Sequence, residues 1–154
     1  VEYEMGVAVD DNDEVIIAAN TYGTVPGAGG SAGGADYLLA RYDSAGNLLA
    51  ILQQGTSADD FANDVAVGVA GNIYIAGETS GALSGPSAGL EDLFVAKYNR
   101  GFAQLWIQQR GTVASDSARG IAVNTDGQVF VCGYTSGSLD GHPNQGNTDA
   151  FLLR

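Results

Sequence analysis

The sequence predicts an all-β fold of four-stranded antiparallel sheets in tandem, and three observations carry the prediction. A unit of about 56 residues recurs along the chain, each unit breaks into four short apolar segments, and glycine, at 23 of 154 residues, interrupts the chain at strand length.

The recurrence is plain in the residues. Val7-Ala8-Val9 returns as Val65-Ala66-Val67 and again as Ile121-Ala122-Val123. Asp36-Tyr37-Leu38-Leu39-Ala40-Arg41-Tyr42 returns as Asp92-Leu93-Phe94-Val95-Ala96-Lys97-Tyr98, and Asp149-Ala150-Phe151-Leu152-Leu153-Arg154 opens a third copy. The chain is therefore one repeat domain with units at about 2–56, 57–112 and 113–154, the third lacking its last strand.

The middle unit shows the segments in order: 62–67, 72–78, 92–98 and 104–109. The first carries small residues, and Gly68 to Gly71, like Asp11-Asn12-Asp13 and Asn124-Thr125-Asp126-Gly127, turns it tightly into the second. A longer loop rich in Gly, Ser and Ala follows (21–35, 79–91, 135–148). Its recurring Thr-Ser-Gly start and single apolar residue (Val25, Leu83, Leu139) predict an ordered loop rather than a tether. The third and fourth segments are joined by Asp43 to Asn47 and Asn99-Arg100-Gly101, and the fourth ends the unit with large residues such as Leu105-Trp106-Ile107. Runs such as Val15-Ile16-Ile17-Ala18-Ala19 are apolar on both faces, so each sheet is expected to be covered on both sides. Four-stranded sheets in tandem, buried on both faces and tapering from small to large side chains, predict β-propeller blades, about three of them.

Eighteen acids against six basic residues give a net charge of -12, which disfavours nucleic acid and anionic membrane surfaces as partners. No run reaches the roughly 18 apolar residues of a membrane-spanning helix. A single cysteine, Cys132, leaves no internal disulfide framework. Three blades are fewer than a closed propeller uses. The chain is accordingly expected to be a segment of a larger protein, or to associate with further copies, and its start at Val1 suggests an excised piece.

The units resemble the SBBP family of bacterial β-propeller repeats. The residues that carry the resemblance are Gly120 to Val123, the turn Asp126-Gly127, Gly133-Tyr134-Thr135-Ser136, Asp92 to Tyr98, and the closing Gly55-Thr56 or Gly111-Thr112. The resemblance covers essentially the whole chain. It implies a propeller within a large secreted or surface-associated protein and brings no catalytic motif.

Candidate sites are few. Glu2, Asp60 and Asp116 are acidic at one position of the unit, Asp36, Asp92 and Asp149 at another, and Arg41, Lys97 and Arg154 are basic at a third. Such recurrence points to framework carboxylates that bond loop amides or pair with the recurring base, rather than to a cation site. Asp10-Asp11-Asn12-Asp13-Glu14 only loosely follows a calcium loop, without its central glycine, and is expected to be a plain turn. Gly27 to Gly34 lacks the lysine of a phosphate loop. Cys132 aligns with Ala18 and Ala76 and is expected to be a small core residue, while the lone His142 is expected at the surface. In an up-and-down sheet the long loops share one end with the links between units. That end would gather Glu2, Asp60, Asp116, Asp140 and His142 as an interaction face.

The expected function is a non-enzymatic structural or protein-interaction scaffold, extracellular or at the cell surface, with no cofactor. Its partners would be other blades of the same polypeptide, further copies or other proteins, with no nucleic acid and no membrane insertion. The alternatives are a carbohydrate- or calcium-binding propeller that uses the long-loop face, and a fragment of a propeller hydrolase.

Overall fold

The computed structural model describes residues 5–154, so Glu2 lies outside the described residues. Among these, eleven strands form three antiparallel sheets, each built in sequence order. The first holds β1 (Gly6–Val9), β2 (Val15–Thr21), β3 (Asp36–Tyr42) and β4 (Leu48–Gln54). The second holds β5 (Asp60–Val67), β6 (Ile73–Thr79), β7 (Asp92–Tyr98) and β8 (Gln104–Arg110). The third holds β9 (Asp116–Val123), β10 (Val129–Thr135) and β11 (Asp149–Leu153). The only helical elements described are two single 3₁₀ turns, Val69–Gly71 and Leu139–Gly141.

The tight hairpins share one device. In four of the five, an Asp or Asn at the turn's start accepts the amides two and four residues on. Asp10 takes Asn12 and Glu14, Asp43 takes Ala45 and Asn47, Asn99 takes Gly101 and Ala103, and Asn124 takes Asp126 and Gln128. A left-handed residue completes each turn: Asp13, Gly46, Phe102 and Gly127. Phe102 accepts that conformation while its ring packs into the core.

The second sheet lies between the other two. On one face Ile73, Ile75, Phe94, Ala96 and Tyr98 pack against Ile16, Ala18, Tyr37 and Leu39. On the other, Tyr74, Ala76 and Leu93 pack against Ala118, Ile121 and Val131. Burial on both faces explains why its strands read as continuous apolar runs. Contacts between sheets gather on the first strands, β5 touching β1 and β9. The small residues of these strands permit that approach. At Gly77 and at its counterpart Gly133 a Cβ would stand 1.9 Å from the carbonyl oxygens of Phe61 and Ser117, beside a register shift in each sheet.

Hydrogen bonds also cross the sheet boundaries. The Asn20 side chain donates to Ala62 O and accepts from Ala62 N, Asn63 Nδ2 donates to Ala118 O, and Asp64 Oδ2 accepts from Ile121 N.

One expectation is corrected. Cys132 is exposed rather than a core residue. Its counterparts Ala18 and Ala76 are buried because each has another sheet laid over it, whereas Cys132 is on the uncovered face of the third sheet, with Leu152, 72% exposed.

Candidate functional site

Asp60 begins β5 and Asp116 begins β9, at the end of the sheets where the long loops emerge, but both are fully buried. Asp60 accepts from Thr56 N, Thr56 Oγ1 and Thr79 Oγ1, and Asp116 from Thr112 N, Thr112 Oγ1 and Thr135 Oγ1. These carboxylates are consumed in tying each link between sheets to the strand beside it, so they are not displayed on a surface for a partner. Burial raises the pKa of Asp60, a rise that bonds from Thr79 and Thr56 oppose and the nearby Asp36 reinforces.

Asp36 and Asp92 are the second recurring pair, 0% and 1% exposed. The Oδ2 of Asp36 accepts from Ala32 N and Gln53 Nε2, and that of Asp92 from Ala88 N and Gln109 Nε2. Each Oδ1 lies instead against the α-carbon of a glycine: a Cβ on Gly55 would stand 2.3 Å from Asp36 Oδ1, and one on Gly111 would stand 2.0 Å from Asp92 Oδ1. This approach is why glycine stands at 55 and 111, where the first two units close. Asp149 keeps the loop bond, from Gln145 N. Among the described residues the recurring carboxylates thus bond loop amides, which is the first of the two framework alternatives. The other alternative, pairing with the recurring base, is not the arrangement found at Arg41 or Lys97. Arg41 bridges Glu14 at 3.4 Å and Lys97 lies 5.1 Å above the Tyr74 ring.

Gln53 and Gln109 are what the reading of single residues missed. Each emerges from a fourth strand and holds the long loop of its own sheet. Gln53 Nε2 also donates to Gly23 O while its Oε1 accepts from Val25 N, and Gln109 does the same with Gly81 O and Leu83 N. Their recurrence at the same position of two units was the available signal. The loops are ordered as expected, with Leu139 buried and Leu83 packed against the core.

Asp140 and His142 are exposed in the last long loop. Asp140, with φ of 52°, accepts a bond of 2.8 Å from Arg110 at the end of β8. With Leu139, Pro143 and Phe151 these two residues line a shallow cleft of about 500 Å³. Of the four described residues expected on an interaction face, Asp140 and His142 stand together at the surface and Asp60 and Asp116 do not.

The opposite end of the sheets holds a second cleft, about 490 Å³, where the first hairpins of all three sheets meet. Asp10, Asp11, Asn124, Thr125 and Arg100 line it. Arg100 bridges Glu14 at 2.6 Å and Asp10 at 3.7 Å, which ties the second sheet to the first hairpin. Asp10 thus both caps its turn and pairs with Arg100. Burial works to raise its pKa, but bonds from Glu14 and Asn12 and the charge of Arg100 outweigh it and leave the pKa lowered. Among the described residues, no three His, Cys, Asp or Glu side chains are placed to hold a metal ion.

No family model matches the chain. It is 31% identical over 132 residues to the regulatory protein FlaEY of Caulobacter vibrioides. That match takes in 78% of this chain but 14% of the relative, so the chain spans a small part of that protein's length.

Proposed function

We propose that the chain is a run of β-propeller blades of the SBBP type serving as a non-enzymatic structural or protein-interaction scaffold, within a larger propeller or assembly outside the cell. The observation that carries this reading is the repeated way one sheet covers the next. The second sheet is enclosed by its neighbours, and the end sheets present matching uncovered faces. Val7 and Val9 of the first sheet are 66% and 60% exposed, whereas Val65, the counterpart of Val7, is 5% exposed. An apolar face of this kind is ordinarily covered by a further sheet or a partner. The buried carboxylates and glutamines act as loop anchors, which favours a scaffold over a hydrolase. That the similar protein is named a regulatory protein agrees with an interaction role.

Electron microscopy of the chain within its full parent polypeptide tests the reading. Sheets arranged radially about an axis are expected, and a flat stack of layers with no axis would refute it. The thiol of Cys132 gives a second check: it should react with a disulfide reagent in the isolated chain and be protected in the assembled protein.

A further inference from the structure

Two acids meet across the boundary between the first and second sheets. Asp36 opens β3 and Asp60 opens β5, and both are 0% exposed. A Cβ on Gly55 would stand 2.3 Å from Asp36 Oδ1 and 2.9 Å from Asp60 Oδ2, so carboxylate oxygens of two sheets converge on one α-carbon. At Gly111 the three nearest atoms all belong to Asp92, so the convergence is closer at the first boundary.

Hydrogen-bond donors are shared unevenly between the two. Asp60 accepts three and Asp36 Oδ2 accepts two, but the buried Asp36 Oδ1 has no hydrogen-bond partner. An ionised oxygen buried without a donor is costly, and a second like charge beside it adds to the cost. Among the described residues no basic side chain offsets the pair. Arg41 and Arg100 reach Glu14, Arg110 reaches Asp140, Arg119 reaches Glu78, Lys97 lies over Tyr74, and Arg154 is exposed after β11. The other titratable neighbours bring no positive charge: Asp59, beside Asp60, accepts from Ala35 N, and Tyr37 bonds Tyr98. The rise in the pKa of Asp60, caused by burial and reinforced by Asp36 against the bonds from Thr79 and Thr56, runs in the same sense.

We propose that Asp36 and Asp60 together form a proton-binding site that makes the junction between the first two sheets sensitive to pH. The folded chain takes a proton from solvent into the pair, which then carries one negative charge rather than two, and returns it as pH rises. The proton belongs to the pair rather than to either residue, because interacting carboxyls titrate together. Asp60 ties the link 55–59 to Thr79, and Asp36 anchors the long loop through Ala32 and Gln53. Loss of the proton places a second buried charge in that junction, so the sheets are held more firmly in mild acid than in neutral solution. The pair binds its proton more tightly in the folded chain than in the unfolded one. Its stabilisation is therefore complete below the ordinary value of 3.8 and is lost as pH rises through the pair's own higher value.

NMR of the aspartate carboxyl carbons, followed in the folded chain from acid to neutral solution, tests the site directly. The pair is expected to titrate above 3.8. In the Asp36→Asn protein, whose side-chain oxygen still accepts from Ala32 N, Asp60 should titrate lower than in the unaltered protein. Urea unfolding gives a second readout. The unfolding constant of Asp36→Asn, relative to that of the unaltered chain, should fall as pH rises above 3.8, by up to about tenfold per pH unit. Asp126→Asn removes an exposed acid from a turn and should show no such trend. The proposal is overturned if the pair titrates wholly at or below 3.8, if Asp60 is indifferent to Asp36→Asn, or if the ratio of unfolding constants is flat with pH. Titration of the unaltered protein decides the matter even where the variant does not fold.

Discussion

The buried tyrosine pair between the first and second sheets gives a directional prediction. Tyr37, in the first sheet, and Tyr98, in the second, are both fully buried with their hydroxyls 2.8 Å apart. Tyr98 donates onward to Gln54 Oε1 at 3.2 Å, so Tyr37 is the donor to Tyr98. Gln54 Nε2 in turn donates to Gln104 Oε1, which makes a relay across the two sheets. Removing either end of the tyrosine pair is not equivalent. Tyr37→Phe deletes one hydrogen bond and leaves Tyr98 its acceptor, a loss of about 0.5–1.5 kcal/mol. Tyr98→Phe strands the Tyr37 hydroxyl in the core, which costs about 1–3 kcal/mol. The double variant strands no hydroxyl, so it should be less destabilised than the sum of the singles, with a coupling on the order of 1 kcal/mol. Urea unfolding followed by Trp106 fluorescence and by circular dichroism measures all three. The reasoning fails if Tyr37→Phe costs as much as Tyr98→Phe, or if the two losses simply add.

The same pair governs stability in alkali. Burial pushes Tyr98 up to about 12, against the pull of its bond with Tyr37, and pushes Tyr37 further still. Above the ordinary value of 10.0 the unfolded chain loses these protons first. Stability should therefore fall as pH rises beyond that point, by up to about 1.4 kcal/mol per pH unit for each tyrosine, and the double Phe variant should flatten the curve. Gly77→Ala and Gly133→Ala each force a methyl group onto a backbone oxygen, and should destabilise by about 1–3 kcal/mol or more in thermal melts. An Ala at Gly85, where a Cβ meets nothing within 4 Å, is the matched control. Gln109→Leu should cost about 2–3 kcal/mol and make the loop 80–91 more sensitive to protease, because Asp92, Gly81 O and Leu83 N all lose a partner together.

The sequence alone determined the repeat, the all-β class and the strand positions, because these follow from local rules: apolar run length, turn chemistry and self-alignment. For the middle unit the segments expected at 92–98 and 104–109 fall on β7 and β8 to within a residue. For the recurring carboxylates it favoured a framework role, while also placing Asp60 and Asp116 on an interaction face. Tertiary structure decided which recurring residues reach the surface. Asp60 and Asp116 sit at the right end of the sheets for a partner, yet threonines fold over them, and no local pattern announces a hydrogen bond to a residue nineteen positions away. Cys132 shares its alignment column with buried alanines and is nonetheless exposed. Burial of a strand position depends on whether another sheet lies above it, and that is a property of neighbours rather than of the strand. The glutamine anchors lie between these cases. Their recurrence was in the sequence, but their meaning came only once the fourth strand, the long loop and the aspartate of the third strand were brought within hydrogen-bond distance.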